Sequence, residues 1–210
     1  MAEKIESFLD ILQKPFEWPM EGDKLFLEED SWWRKTEIAS DVLSRLVLMW
    51  DGYKRAGDAL VEYSDRDEAG RIDRNTLVYP IMFCYRHSVE LALKWFLLMY
   101  GGYAGVEPNL KDHSLTTLWK SCRATINRID PEPHPEDQAS RDAVDALIQE
   151  LDKADPQSFA FRYATDTAGR LVLLKTKDFS FSHLAKKMDA LQNYFKGLDG
   201  HLDHLVSAGP

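Results

Sequence analysis

The chain has 210 residues, of which 44% are hydrophobic and 29% are charged, and it contains only 11 Gly and 9 Pro. This length and composition predict one folded globular domain, and they exclude a string of modules, a collagenous chain and a low-complexity chain. The 26 Lys and Arg residues are outnumbered by 35 Asp and Glu residues, so the formal net charge is −9. A surface this acidic repels phosphate backbones, which argues against broad, sequence-blind binding to nucleic acid or to anionic membranes.

The cysteines and the N-terminus indicate where the protein works. Cys84 and Cys122 are the only two cysteines, too few for a disulfide scaffold or a cysteine-rich zinc site. The first 13 residues include four charged side chains and therefore lack the uncharged stretch of a signal peptide. We expect a soluble cytoplasmic protein with no membrane contact, in which residues 1–30 form an N-terminal extension and residues 31–210 a single helical domain.

The first half of that domain predicts two long helices. Apolar residues recur every three or four positions over residues 31–63, which is typical of an amphipathic helix. Residues 64–75 are charged and aperiodic, so they predict an exposed connection. Residues 76–100 are apolar on nearly every side, as in a helix buried by its neighbours, with Pro80 expected in its first turn or at a kink. Charged residues in the middle of this segment argue against a transmembrane helix.

The second half predicts two shorter helices, a hairpin and a long final helix. Helical spacing returns over residues 113–126, where Asp112 is the expected cap, and again over residues 143–151 after a proline-broken loop. Residues 158–175 alternate with period two around a turn, which predicts a short β-hairpin. The last helix has a heptad seam of eight apolar residues: Phe181, Leu184, Met188, Leu191, Phe195, Leu198, Leu202 and Leu205. The predicted fold class is mainly α, a bundle of four to five helices with a small β-hairpin before the last helix.

One stripe of the most apolar helix is ionisable. Arg86, His87, Glu90 and Lys94 fall within an arc of roughly 100° when each residue advances by about 100°. Glu90 lies four residues from both Arg86 and Lys94, so the three side chains could form a ladder of ion pairs at the rim of the bundle. Alternatively, they line a cleft in which Arg86 and Lys94 hold a phosphate and His87 transfers a proton.

Three motifs occur in a recognisable order. They are Tyr85–Lys94 (YRHSVELALK), His113–Trp119 (HSLTTLW), and Phe161-Arg162-Tyr163 followed by Asp166 and Gly169. In this order they resemble a group of bacterial HEPN-type proteins, and the similarity extends over roughly residues 76–205. HEPN domains are bundles of four or five helices, often dimeric, and many are metal-independent ribonucleases of toxin–antitoxin and anti-phage defence systems. The resemblance therefore implies a HEPN-like bundle that forms a homodimer.

The resemblance also implies a set of site residues. The catalytic residues would be Arg86, His87 and His113, and the ligand-binding or phosphate-binding residues would be Glu90, Lys94, Arg162 and Tyr163. In metal-free cleavage of RNA, one histidine deprotonates the 2′-hydroxyl, another protonates the leaving 5′-oxygen, and a cation neutralises the developing charge. That chemistry needs no metal and no cofactor. Alternatively, His113 caps a helix or satisfies a hydrogen bond of the core, and Arg162 is a solvent-facing strand residue.

The chain departs from the catalytic HEPN pattern in one respect. Catalytic HEPN nucleases carry an Arg and, four to six residues later, a His at the start of the last bundle helix, where this chain has only His183. Arg128 and His134 have a suitable interval, but the prolines between them break any helix that would align them. Two hypotheses follow. The first is a HEPN-like ribonuclease or toxin acting on RNA or a nucleotide. The second is a non-catalytic HEPN-like module that binds a phosphorylated ligand, or a protein partner through the heptad helix.

Overall fold

The computed structural model describes residues 19–66, 70–174 and 178–208, without the side chain of Arg71. The chain divides between Ile38 and Ala39 into two units. Within the described residues, the second unit contains five α-helices and a 3-10 turn, which confirms the mainly α fold class. The helices are α1 (Val42–Ser64), α2 (Arg71–Tyr100), α3 (Leu115–Ile129), α4 (Pro135–Ala154) and α5 (Phe181–Ala208), and the 3-10 turn, Gly101–Ala104, follows α2.

The first helix begins later than its apolar period predicts. Residues 31–41 are turns and irregular chain, so the prediction of a helix from residue 31 is wrong over this stretch. The helix starts after Asp41, whose side chain accepts a hydrogen bond from the Ser44 N–H at 2.8 Å. An aspartate stabilises a helix start in this way because it takes up an N–H that has no partner in the first turn.

The second helix is the central element of the unit, as its composition predicts. From Ile81 to Leu97 every residue is buried except Phe83 and His87. The helix begins at Arg71, five residues before the predicted start, so Pro80 lies in its third turn and not in its first. Proline has no N–H, so the Thr76 carbonyl lacks its usual helical donor there. No helix within the described residues is both long enough and apolar enough to cross a membrane.

The third and fourth helices differ from prediction at their starts. The cap of α3 is Ser114, whose Oγ accepts from the Thr117 N–H at 3.2 Å, whereas the predicted cap, Asp112, accepts from the Ser114 N–H at 2.9 Å. Helix α4 begins at Pro135, inside the segment predicted to be a loop. Proline suits the first helical position because the N–H it lacks would have no partner there.

The predicted β-hairpin is not confirmed. Within residues 158–174 the structure has one antiparallel bridge, Thr165 to Leu171, around a turn in which the Gly169 N–H donates to the Asp166 carbonyl at 2.9 Å. The predicted first strand is replaced by a helical turn, because the N–H groups of Arg162 and Tyr163 both donate to the Phe159 carbonyl at 3.1 Å. Residues 175–177, where the second strand was predicted to end, lie outside the described residues.

The last helix follows the heptad seam. Five of the eight seam residues are buried against the other helices of the unit: Met188, Leu191, Phe195, Leu198 and Leu202. A second contact fixes α5 beside α1, since the buried Lys54 ammonium binds Asp58 at 2.7 Å and also Asp189 of α5. Because the seam is used within the unit, the predicted contact of this helix with a protein partner stays a prediction.

Candidate functional site

Arg86 of α2 joins three segments of the chain. Its side chain is 1% exposed, and Nη1 donates to Glu90 Oε2 at 3.0 Å. Nε donates to the carbonyl of Asp155, just after α4, at 2.7 Å, and Nη2 donates to the carbonyl of His113, just before α3, at 2.6 Å. All three guanidinium nitrogens therefore bind groups of the protein itself.

Glu90 binds Lys94, the other basic residue of the predicted ladder, and also His113. Its Oε1 is 2.9 Å from Lys94 Nζ and 2.9 Å from His113 Nδ1. Burial raises the pKa of the Glu90 carboxyl, but hydrogen bonds from Lys94 and His113 and the charge of Arg86 outweigh burial, and the pKa is lowered. Glu90 is consequently an acceptor only, so His113 Nδ1 carries the proton of that hydrogen bond.

Two carboxylates that the sequence analysis missed complete the arrangement. Asp152 Oδ1 lies 3.8 Å from Arg86 Nη2 and accepts from the Leu115 N–H at 2.8 Å. Asp155 Oδ2 lies 3.9 Å from Arg86 Nε, while its Oδ1 accepts from the Phe159 N–H at 2.7 Å. The Asp155-Pro156 pair is a turn signal that could have identified Asp155, but no spacing in the sequence indicates Asp152.

We call these six residues the Arg86 network: Arg86, Glu90, Lys94, His113, Asp152 and Asp155. The network contains two basic side chains, Arg86 and Lys94, and three carboxylates, so its formal charge, with histidine counted as neutral, is −1. The network balances its own charge and has no excess cation for an external phosphate. The ladder predicted for the rim of the bundle thus exists, but it is buried and joined to two further segments of the chain.

His87, the other predicted catalytic histidine, lies among aromatic rings. Its imidazole stacks on the Phe83 ring, with the two ring centroids 5.3 Å apart. It also makes an edge-to-face contact with the Tyr53 ring, with the centroids 4.6 Å apart. Burial lowers the pKa of His87; the positive charges of Lys94 and Arg162 add to this effect, and Glu90 opposes it. The imidazole is therefore neutral at pH 7.

Arg162 and Tyr163 lie beside the same aromatic group. The exposed Arg162 guanidinium lies 5.8 Å from the Phe83 ring centroid and 5.2 Å from that of Tyr163, and its Nε donates to the Ser158 carbonyl at 2.6 Å. Among the described side chains, no hydrogen bond joins His87 to His113 or to Arg162. Hydrogen bonds link four of the predicted site residues, Arg86, Glu90, Lys94 and His113, and aromatic contacts gather the other three.

Two cavities of the second unit are lined by other residues. The first, of about 290 Å³, lies between α4 and the start of α5, and its polar lining residues are Glu150, Ser180, His183 and Lys187. The second, of about 530 Å³, is lined by residues from the start of α2 and from the chain that leads into α5. No predicted site residue lines either cavity.

Comparison with protein-family models, with curated proteins and with solved structures finds no match. The HEPN resemblance, the RNA or nucleotide ligand and the homodimer therefore stay predictions made from the sequence.

Proposed function

We propose that this chain is a non-catalytic HEPN-like helical module, which binds its ligand or partner outside the Arg86 network. The observation that supports this function is the state of Arg86. Its Nε, Nη1 and Nη2 are all committed to acceptors within the protein. A phosphate-binding arginine, in contrast, directs its fork of donors at the ligand.

The energetics favour the same interpretation. The Arg86 side chain is 1% exposed, so an external phosphate could reach it only if the guanidinium moved out and left its partners, Glu90 and two backbone carbonyls. Each buried polar group that loses its partner costs about 1–3 kcal/mol, and more for a charged group. The lysine of the network is no freer, because Lys94 is buried and bonded to Glu90. These side chains therefore act as a structural connection between α2, α3 and α4.

The surface that suits binding is the cavity between α4 and α5. Most of its lining is apolar, and a few polar side chains stand among the apolar ones. Ligand sites in proteins commonly have this composition because apolar lining supplies affinity and a few polar groups supply orientation. We assign the binding role to this cavity.

The test is expression of the wild type, His87→Ala and His113→Ala in a bacterial host, with growth and RNA integrity measured. The proposed function predicts intact RNA and equal growth for all three proteins at matched expression. RNA that is cut by the wild type and spared by His113→Ala would contradict it.

A metal-independent ribonuclease is the second candidate, and the Glu90–His113 pair favours it. Glu90 orients the imidazole through Nδ1 at 2.9 Å, and the His113 side chain is 56% exposed. A carboxylate that holds one nitrogen of a histidine leaves the other nitrogen ready to act as a general base. In this alternative, wild-type expression degrades RNA and the loss of His113 abolishes the degradation.

A further inference from the structure

The lining of the cavity between α4 and α5 is divided by polarity. Its apolar residues come from α2, α4, α5 and the residue Phe179 that leads into α5. They are Met82, Leu147, Leu151, Ala154, Phe179, Leu184, Met188 and Leu191. Burial of an apolar chain against these side chains is favourable, because apolar surface is removed from water and few polar groups of the lining lose their hydration.

Two basic side chains stand at the edge of this apolar surface. His183 and Lys187 are four residues apart on α5, so they lie on one face of that helix. Both are exposed, and among the described side chains neither has a carboxylate within 4.0 Å. They can therefore donate hydrogen bonds to an anionic group at the opening of the cavity.

One acidic residue of the lining limits the charge of that anion. Glu150 of α4 also lines the cavity, and it has no basic group within 4.0 Å among the described side chains. Its carboxylate repels a second negative charge, so the edge favours a group with one negative charge over a doubly charged phosphate.

The volume of the cavity sets the size of the ligand. A volume of about 290 Å³ corresponds to about ten atoms the size of a water molecule, at about 30 Å³ each. We propose that the cavity binds a linear aliphatic monocarboxylate of about eight carbons, with its chain against the apolar lining and its carboxylate beside Lys187 and His183. This inference rests on the proposed binding function and names the ligand class.

The experiment is calorimetric titration of the purified full chain with octanoate, octan-1-ol and octylamine at neutral pH. Octanoate should bind, octan-1-ol should bind about tenfold more weakly because it lacks the charge-assisted contact, and octylamine should bind more weakly still. Equal affinity for octanoate and octylamine would overturn the proposal, and so would the absence of octanoate binding.

Two variants and a control locate the site. Lys187→Gln should weaken octanoate binding by about tenfold, and Glu150→Gln should strengthen it by a few-fold because a repulsive charge is lost. The control is Lys186→Gln, an exposed neighbour that does not line the cavity and should leave the affinity unchanged. Equal affinity in Lys187→Gln and Lys186→Gln would overturn the assignment.

Failure of this inference differs from failure of the proposed function. If octanoate does not bind and cellular RNA stays intact, the ligand class is wrong and the non-catalytic function is unaffected. If cellular RNA is degraded and His113→Ala prevents it, the proposed function is wrong whatever octanoate does.

Discussion

Arg86 connects α2 to two other helices, because its side chain donates to the carbonyl just before α3 and to the carbonyl just after α4. Arg86→Met keeps an unbranched apolar stem but removes the guanidinium, so Glu90 and two backbone carbonyls lose that donor. Breaking a buried ion pair from one side costs about 3–5 kcal/mol. We expect urea denaturation to show a loss of this size in the free energy of unfolding.

A matched control separates burial from charge. Arg55 of α1 is also four residues from an acidic partner, but its side chain is 79% exposed and lies 3.9 Å from Asp51. Exposed pairs contribute little, so Arg55→Met should change the free energy of unfolding by less than about 1 kcal/mol. Equal losses in the free energy of unfolding for the two variants would show that the buried contacts of Arg86 do not stabilise the protein as we describe.

The stability of the protein should depend on pH through His87. Burial lowers its pKa below the ordinary value of 6.5, so the unfolded chain takes up a proton at a higher pH than the folded protein does. The free energy of unfolding should therefore fall as the pH drops below about 6.5, until the folded imidazole itself is protonated. His87→Phe, which can still pack on Phe83 and Tyr53, should flatten this decline.

Urea denaturation at pH 7.5 and pH 5.5 measures the decline. The control is His204→Gln, at an exposed position of α5, which should keep the wild-type difference between the two pH values. A decline in His87→Phe as steep as in the wild type would place the responsible group elsewhere.

At the scale of the helix, two glycines of α1 separate packing from helix propensity. A Cβ on Gly57 would lie 2.6 Å from Cε1 of Tyr85, which is fully buried and hydrogen-bonded to Asp58. A Cβ on Gly52 would meet no atom within 4 Å. Alanine is favoured over glycine inside a helix by about 1 kcal/mol when packing does not interfere.

We therefore expect opposite signs for one substitution at two positions. Gly52→Ala should raise the free energy of unfolding by about 0.5–1 kcal/mol, and Gly57→Ala should lower it by about 1–3 kcal/mol because Tyr85 must move. Thermal and urea unfolding of both variants test the pair. Stabilisation by Gly57→Ala would mean that α1 and α2 do not pack as closely as described.

Periodicity predicted the helices better than their ends. The apolar spacing identifies all five helices and the seam of α5, because burial of one face repeats along each helix. The starts depend on single capping residues such as Asp41 and Ser114, which the period does not contain. The first strand of the hairpin was mispredicted because Phe159 and Tyr163 fit both an alternating strand and a helical turn, and local hydrogen bonds favour the turn.

The site was predictable only where its residues are close in sequence. Spacing of four residues correctly paired Glu90 with Arg86 and with Lys94. Asp152 and Asp155 lie at the end of α4 and just after it, and the Asp155 carbonyl accepts from Arg86 across a separation of 69 residues. Contacts of this kind depend on how helices pack, so the sequence left the choice between a phosphate cleft and an internal network open.

At the scale of the whole second unit, polar contacts join the central helix to each of the other four. The Arg86 network connects α2 to the start of α3 and the end of α4. On other faces, the Tyr85 hydroxyl donates to Asp58 of α1 at 2.9 Å, and the Tyr100 hydroxyl donates to the Asp199 carbonyl of α5 at 3.1 Å. Each donor in these contacts has a specific acceptor, so the contacts favour one packing arrangement over alternatives.

The charged groups of the Arg86 network neutralise one another and hold no external phosphate. The most direct measurement is the thermal unfolding midpoint of the full chain with increasing concentrations of a 2′-O-methyl oligoribonucleotide, which cannot be cleaved through its 2′-oxygen. A ligand bound to the folded state at a hundred times its Kd would add about 2.7 kcal/mol of stability. We predict an unchanged midpoint in the wild type. A midpoint that rises with the oligoribonucleotide in the wild type and does not rise in Lys94→Gln would contradict the account.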